Sequence, residues 1–216
     1  MIKFATFIIS ILLTVSYSIV FVQLFTFDLY NLKIIYFTIG FIVFIPIWTF
    51  WLKKNDLFST LEHEITHAIV GILFFYKPIG LSVNQGEGGH ARFHGNGDIN
   101  FLVLLAPYFL PTLSIFILPL YFIIKAEYLL YFFMVFGFTV SYHLLSTKQE
   151  IGFHQTDITK SGKVFSIAFL IFTNIFFYGF IFFFVTQNFE IGLTYFKEGF
   201  MLPINKISEY LQFLYN

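Results

Sequence analysis

The chain has 216 residues, of which 58% are hydrophobic and only 11% are charged, and its mean hydropathy is +0.81. This composition excludes an ordinary water-soluble domain and indicates a membrane protein whose surroundings are the lipid bilayer. Twelve basic residues balance twelve acidic ones, which argues against nucleic acid as a partner. Cysteine is absent, so a metal ion would need histidine and carboxylate ligands.

Five stretches are long and apolar enough to cross a bilayer, whose apolar layer of about 30 Å needs roughly 20 helical residues. They are residues 4–27, 34–52, 101–124, 128–145 and 164–185. The third stretch contains Pro107, Pro111 and Pro119, which predict a kinked helix. Residues 192–216 mix apolar and charged side chains and predict an amphipathic helix on the membrane surface. The predicted fold class is therefore an all-α polytopic membrane protein with about five spanning helices.

Between the second and third spans, residues 57–76 predict a helix that carries several ionisable side chains near its start. Residues 63–67 read HEITH, an HExxH motif. On a helix, His63 and His67 lie one turn apart on one face, so both imidazoles can bind a single Zn²⁺ ion. Glu64 lies about 100° around the helix, where it can act as general base toward water activated for attack on a peptide carbonyl. Unpaired charge is costly in an apolar segment, which favours a functional site over a solvated polar face.

A catalytic zinc site normally has three protein ligands, so the third must come from elsewhere in the chain. The polar segment 146–163 offers Glu150, His154 and Asp157, of which Asp157 is the first choice. The alternative role of Asp157 is an N-cap for the helix that follows. His143 lies inside a predicted span and is interpreted as a buried imidazole with no ligand role.

Residues 79–96 alternate apolar and polar side chains on both sides of a glycine-rich turn, which is typical of a β-hairpin. His90, Arg92 and His94 belong to its second strand. Beside the metal, the edge of such a hairpin could bind substrate as an added strand, and these three side chains could polarise the scissile carbonyl. The alternative for the hairpin is a surface element that plugs the cleft, and the alternative for its three polar side chains is that they only face lipid headgroups.

A shared metal ion also constrains the topology. If helix 57–76 crossed the bilayer fully, Asp157 would emerge on the opposite side from His63, so we expect this helix to be only partly inserted. The cytoplasmic side, identified by its excess of basic residues, then carries eight of the twelve. These eight are Lys3, Lys53, Lys54, Lys77, Arg92, Lys148, Lys160 and Lys163. The bias toward Lys and Phe is typical of an AT-rich bacterial genome, so we expect a multi-pass protein of the bacterial cytoplasmic membrane whose active site faces the cytoplasm.

The chain has HEITH in a predicted membrane helix, then a short glycine-rich extended segment, further spans and a late aspartate at a membrane edge. In this order of features it resembles the site-2 protease family of intramembrane zinc metalloproteases, particularly its small bacterial members. The resemblance covers residues 57 to about 185. It implies that His63, His67 and Asp157 bind zinc, that Glu64 is the general base, and that the substrates are transmembrane proteins. One departure concerns the third ligand. The family often has an Asp-Gly pair within an Asn-Pro-containing motif, whereas Asp157 is followed by Ile158.

On this basis the chain divides into two N-terminal transmembrane helices at 1–56, a metalloprotease core at 57–186 and a C-terminal amphipathic tail at 187–216. The core comprises the HExxH helix, the hairpin 79–96 beside the active site and three transmembrane helices. Two alternatives remain open. Membrane di-iron hydroxylases and desaturases also use His-x-x-x-His boxes, which His63/His67 and His90/His94 would supply. A non-catalytic metal-binding membrane protein is the other.

Overall fold

The computed structural model describes residues 2–55, 57–84, 88–94, 99–152 and 155–215. Within these ranges the chain forms nine α-helices, several short 3-10 turns and one two-stranded sheet. The elements are α1 (Ile2–Leu24), α2 (Leu32–Phe50), α3 (Leu57–Leu73), β1 (Pro78–Asn84), β2 (Gly88–Phe93), α4 (Phe101–Leu105), α5 (Thr112–Ile117), α6 (Leu129–Glu150), α7 (Thr156–Ser161), α8 (Lys163–Thr186) and α9 (Phe189–Tyr215).

Four helical segments in the described part of the chain are long and apolar enough to cross a membrane. They are Ile2–Leu24, Leu32–Lys54, Ala126–Glu150 and Lys163–Thr186. Each corresponds to one of the predicted spans, and each is helical from end to end apart from short 3-10 turns at the ends of two of them. The chain is therefore mainly helical and compatible with a multi-pass membrane protein, as the composition predicts.

The predicted span at 101–124 is interrupted at its prolines, as the sequence indicates, but the interruption is a sharp break and not a kink within one helix. Two helical pieces, Phe101–Tyr108 and Thr112–Phe122, are bent by 85° relative to each other. Pro107 lies in the 3-10 turn that follows α4, and Pro111 directly precedes α5. Proline lacks an amide hydrogen and clashes with the preceding helical turn, so two prolines this close end the helix and do not merely bend it. The bent pair is either one broken span or a re-entrant loop.

The chain packs as two units, Ile35–Lys163 and a second made of Met1–Ile34 with Val164–Asn216. The predicted borders at residues 56 and 186 do not coincide with these units, and the predicted division stays a prediction. In the first unit, α2 packs on α6 through a cluster of Phe44, Trp48 and Tyr142. Such aromatic packing brings the C-terminal end of α6 close to α3, since Phe58 of α3 also contacts the Tyr142 ring.

The HExxH helix, α3, and the hairpin pack against each other in the first unit. The buried face of α3 is polar, with Ser59, His63, Glu64, Thr66 and His67 among its buried residues. Both strands pack against α3, and β1 pairs with β2 in antiparallel register. The structure thus confirms two antiparallel strands where the hairpin was predicted, while residues 85–87 and 95–96 of the predicted segment lie outside the described residues. Helix α3 has 17 residues and is not among the candidate spans.

The second unit consists of α1, α8 and α9. The hydroxyl of Tyr17 in α1 donates to the Phe196 carbonyl, and the hydroxyl of Tyr195 in α9 donates to the Ile175 carbonyl of α8. The rings of Phe176 and Phe196 stack 4.1 Å apart between α8 and α9. The predicted C-terminal helix is therefore present, and its first half is packed against both α1 and α8.

Candidate metal centre and active site

Helix α3 presents His63 and His67 on one face, one turn apart, with their ring centroids 4.8 Å apart. The Nε2 atoms of both rings face the same carboxylate oxygen, Asp157 Oδ2, at 3.6 Å from His63 and 3.5 Å from His67. Asp157 lies in the first turn of α7, almost one hundred residues further along the chain. These three side chains form a group that could hold a metal ion, with all potential ligand atoms within 4.8 Å of one another.

The spacing of these atoms matches what a tetrahedral zinc ion requires. Zinc binds imidazole nitrogen and carboxylate oxygen at about 2.0–2.1 Å, which places neighbouring ligand atoms of a tetrahedron roughly 3.3 Å apart. The observed separations of 3.5 and 3.6 Å exceed this by only a few tenths of an ångström. Side-chain adjustments of this size occur within one rotamer, so the donor set fits a single ion.

Each histidine has a hydrogen-bond partner on the ring nitrogen that points away from Asp157. His63 Nδ1 lies 2.6 Å from Glu150 Oε2 at the end of α6, and His67 Nδ1 lies 2.8 Å from the Val103 carbonyl oxygen in α4. A carboxylate and a carbonyl only accept hydrogen bonds, so a neutral imidazole must carry its hydrogen on Nδ1. The lone pair is then on Nε2 and faces Asp157, the arrangement that metal-binding histidines usually adopt.

Asp157 also has a partner outside the ligand group. The fully buried Tyr108 donates its hydroxyl hydrogen to Asp157 Oδ2 at 3.3 Å, and its ring meets the His63 ring edge-on at 5.2 Å. Tyr108 lies in the 3-10 turn at the break between α4 and α5. The break, whose angle the sequence did not predict, therefore supplies a residue that orients the carboxylate.

Two groups of the site, His63 and Asp157, have strongly shifted pKa values, and both lie outside the candidate spans. Burial by itself raises the pKa of Asp157, but hydrogen bonds and charges from His63 and His67 outweigh burial and hold that pKa below its usual range. Burial lowers the pKa of His63, whereas Asp157 and Glu150 raise it, and the net result is a rise from 6.5 to about 10. Without a metal, His63 is therefore protonated at neutral pH and lies between two carboxylates.

Glu64 is buried, with 6% of its surface exposed, and lines a cavity of about 340 Å³ together with the ligand group. Strand β2 forms another wall of this cavity. A Cβ atom at Gly89 would lie 2.7 Å from Glu64 Cγ and 2.9 Å from Thr60 Cγ2. Glycine at this position therefore allows the backbone of β2 to pass directly over Glu64.

The other predicted site residues are distributed differently. His90 lines the cavity, whereas Arg92 and His94 are not among the described residues that line it. Side chains alternate along a strand, and Gly89, Ala91 and Phe93 occupy its more buried face.

Among the alternative third ligands, Glu150 contacts the opposite side of the His63 ring, and His154 lies outside the described residues. His143 is buried in α6, as the sequence predicts, and is not in the described group that could hold a metal ion.

Tyr108 and Val103 are the site residues that sequence reasoning missed. Val103 acts through its backbone carbonyl, so its side chain carries no signal of this role. For Tyr108, the only signal in the sequence is its position directly after Pro107, where a helix is expected to end.

No protein-family model matches the chain, and neither does any curated protein or solved structure. The resemblance to the site-2 protease family therefore stays a prediction. The arrangement of side chains around His63, His67 and Asp157 carries the functional argument.

Proposed function

We propose that the protein is an intramembrane zinc metalloprotease that hydrolyses peptide bonds of membrane-protein substrates. The observation that carries the proposal is the convergence of His63 Nε2 and His67 Nε2 on Asp157 Oδ2 beside the buried Glu64. Two imidazoles and one carboxylate are a donor set typical of catalytic zinc, and three protein ligands leave a fourth position open for water or substrate.

In this proposal His63, His67 and Asp157 hold the ion, and Glu64 carries out the proton transfers. Zinc, when bound, supplies a Lewis acid that polarises a carbonyl and lowers the pKa of water to about 7. Glu64 lines the same cavity as the ligand group, so it can take a proton from the attacking water. It then donates this proton to the leaving amine as the peptide bond breaks.

The hairpin supports a peptide as substrate. Strand β2 pairs with β1 along one edge, and the sheet has two strands in the described part of the chain, so the second edge of β2 has no strand partner there. Gly88, Gly89, His90 and Ala91 of β2 line the cavity. An extended substrate segment can form main-chain hydrogen bonds with this edge, which matters because the peptide bonds of an intact helix are shielded. Of the three hairpin residues predicted to contact substrate, His90 is the one that lines the cavity in the described part of the chain.

The proposed location is the bacterial cytoplasmic membrane, with the cavity open to the cytoplasm. The four apolar helical segments support membrane insertion, and the short length of α3 supports a helix that enters only partly. The excess of basic residues on the side that carries Lys53 and Lys163 supports the orientation.

A di-iron oxidoreductase has less support. It would need the second box, His90 and His94, near the first, but His90 lies in a strand and His94 in a bend. Within the described residues, the group that could hold a metal contains His63, His67 and Asp157 and has room for one ion. The burial of Glu64 in the cavity likewise favours a catalytic protein over a metal-binding protein without activity.

The test is a comparison of Glu64→Gln with wild type in membranes of cells that express each protein. We expect Glu64→Gln to retain about one zinc ion per chain and to lose proteolysis, because the amide keeps the shape of the side chain but cannot accept a proton. Metal analysis of the purified chain gives the first result. Mass spectrometry of new N-termini and accumulated full-length proteins in the membrane fraction gives the second.

Glu62→Gln is the matched control, because Glu62 accepts a hydrogen bond from Thr66 and is not among the described residues that line the cavity. This variant should keep both zinc and proteolysis. Cleavage by Glu64→Gln at the wild-type rate would refute the role of Glu64. A wild-type chain that contains two irons, or no metal after purification in zinc-supplemented buffer, would refute the zinc site.

A further inference from the structure

Within the unit formed by residues 1–34 and 164–216, helix α9 is held against α1 by a tight contact. Ser16 Oγ donates to the Gly199 carbonyl at 2.5 Å, and the Tyr17 hydroxyl donates to the Phe196 carbonyl at 2.8 Å. A Cβ atom at Gly199 would lie 2.1 Å from the Tyr17 ring, so a larger residue would push the helices apart. These contacts fix which face of α9 is turned inward.

Helix α9 also runs antiparallel to α8. Phe189 contacts Phe184, and Phe200 contacts Phe176, so higher residue numbers in α9 match lower numbers in α8. Phe176 lies about ten residues before the end of α8 at Thr186, which is about 15 Å along a helix that rises 1.5 Å per residue. If α8 spans an apolar layer of about 30 Å, residues near Phe200 lie about halfway through it. With 27 residues, α9 is long enough to cross completely, although it is not among the four candidate spans and its sequence predicts a surface helix.

At this depth α9 carries opposite charges on its outer side. Lys197 is exposed and Glu198 half-buried, and neither forms a hydrogen bond or ion pair with any described residue. Because successive residues lie about 100° apart around a helix, Thr194 and Met201 lie between these two charges. By the same count Asn205 and Ser208 lie on this side of α9 as well, beyond Pro203 in the helix interior. We call Thr194, Met201, Asn205 and Ser208 the outer seam, which Lys197 and Glu198 flank on opposite sides.

We propose that the outer seam of α9 is the contact surface between two copies of this chain within the membrane. Two copies inserted in the same orientation are related by a two-fold axis along the membrane normal, so their α9 helices pack parallel. Lys197 of each copy then faces Glu198 of the other, and the symmetry forms this ion pair twice. Threonine, serine and asparagine are residues through which membrane helices form hydrogen bonds across an interface. Exposure to lipid, by contrast, would leave both charges unpaired in the apolar layer.

Cysteine cross-linking tests this contact directly, because the chain has no cysteine of its own. The variants are Thr194→Cys and Asn205→Cys in the seam, with Leu193→Cys and Ile204→Cys as controls one residue, and therefore about 100°, away. Both control residues are exposed. We expect mild oxidation in native membranes to give a disulfide-linked species of twice the 25.3 kDa chain mass for the seam variants and little for the controls.

Several results would overturn the proposal. These are the absence of a dimer from seam variants, equal cross-linking of seam and control positions, and a disulfide to a different protein. Complete labelling of Asn205→Cys by a membrane-impermeant thiol reagent would place the seam in water and would also contradict it.

Charge reversal provides a second, independent test of the same pairing. In the Thr194→Cys background, Lys197→Glu and Glu198→Lys should each reduce cross-linking by at least about tenfold, because each places like charges together twice. The double variant restores opposite charges across the axis and should return cross-linking to the wild-type level. Failure of the double variant to do so, at normal expression, would refute the ion pair. Neither test depends on the metal site, so a failed cross-link and a failed protease assay remain distinguishable.

Discussion

Each of the three proposed metal ligands is oriented by one further group. Glu150 accepts from His63, the Val103 carbonyl accepts from His67, and the Tyr108 hydroxyl donates to Asp157. Groups of this kind fix the tautomer and the direction of a ligand, and their loss typically weakens metal binding about ten- to hundredfold. The three partners come from α6, α4 and the turn after α4, so the site depends on elements that are distant in sequence.

We predict that Glu150→Ala lowers zinc affinity by about ten- to hundredfold and does not abolish binding, because His63 loses its orienting acceptor but keeps its Nε2 lone pair. Glu150→Gln should reduce zinc affinity less, because its amide oxygen can still accept the hydrogen bond from His63 Nδ1. Competition with a chelator of known affinity measures the effect in the detergent-solubilised chain.

Glu62→Gln again serves as a neighbouring-carboxylate control, because Glu62 accepts a hydrogen bond from Thr66 and acts on His63 only through its charge, so this variant should lose much less zinc affinity than Glu150→Ala. Wild-type affinity in Glu150→Ala would show that His63 needs no such partner. Complete loss of zinc, equal to that of His67→Ala, would instead make Glu150 a direct ligand.

At the residue scale, the sequence contained the ligand candidates but not their partners. The HExxH spacing places His63 and His67 on one face by helix geometry alone, and the structure brings Asp157 to them. Glu150 was a candidate ligand, and the structure shows it on the far side of the His63 ring. Which side of an imidazole a carboxylate meets depends on where α6 ends in space, and a linear sequence does not contain this information.

The hairpin is the element on which the substrate proposal depends, and its Gly89 lies directly against Glu64, the proposed general base. We predict that Gly89→Ala reduces proteolysis by more than about tenfold with zinc content unchanged. The added methyl group would overlap Glu64 and Thr60, so either the strand moves out or the carboxylate turns away. Product formation and metal content are measured on the same preparation.

Gly80→Ala is a matched control on β1. Its added methyl group would meet only the flexible end of the Arg92 side chain, at 3.3 Å, and activity should stay within about twofold of wild type. Equal activity of the Gly89→Ala and Gly80→Ala proteins would mean that the strand does not constrain Glu64.

Regular elements were predicted well, because the apolar helices and the alternating hairpin follow the helical and strand periods. The segment at 101–124 was predicted less well, because Pro107 and Pro111 indicate that the helix is interrupted but do not indicate the angle between its two pieces. The 85° bend depends on how α5 packs on α6, where Ser114 and Thr139 share a buried hydrogen bond of 3.0 Å. A contact between residues this far apart in sequence leaves no local pattern.

For the whole molecule, metal binding should be coupled to both stability and pH. In the metal-free chain the raised pKa of His63, about 10 against 6.5 when unfolded, contributes stability that is complete below pH 6.5 and is lost as the pH rises through 10. Zinc needs the neutral imidazole, so binding releases this proton, and the apparent affinity should rise about tenfold per pH unit in that window.

We therefore predict that zinc raises the unfolding temperature more at pH 8.5 than at pH 6.5. The hundredfold gain in affinity corresponds to about 2.7 kcal/mol of additional stabilisation at a fixed, saturating concentration of free zinc. Thermal unfolding in detergent, with and without metal-buffered zinc, measures the difference. His67→Ala should show no zinc effect at either pH, and a zinc effect in wild type that shrinks as the pH rises would contradict the proton displacement.

The C-terminal helix shows why composition alone is a poor guide at the scale of the molecule. Glu190, Lys197 and Glu198 make α9 resemble a surface helix, yet Gly192, Tyr195 and Gly199 form a continuous inner face against α1 and α8. In the sequence, the only sign of this inner face is that its three residues are three and four positions apart. Its role becomes visible once the rings of Tyr17 and Phe180 are seen to occupy the space that the glycines leave.

The Val103 carbonyl group that accepts the hydrogen bond from His67 Nδ1 belongs to the main chain. A point mutation can remove the Glu150 carboxylate or the Tyr108 hydroxyl, but every amino acid supplies a carbonyl at position 103. Evolution and protein engineering can therefore adjust two of the three proposed ligands one at a time, through Glu150 and Tyr108. Reorienting His67 would require a different backbone path for α4. We therefore expect the orientation of His67 to change less than that of His63 or Asp157 among homologous proteins.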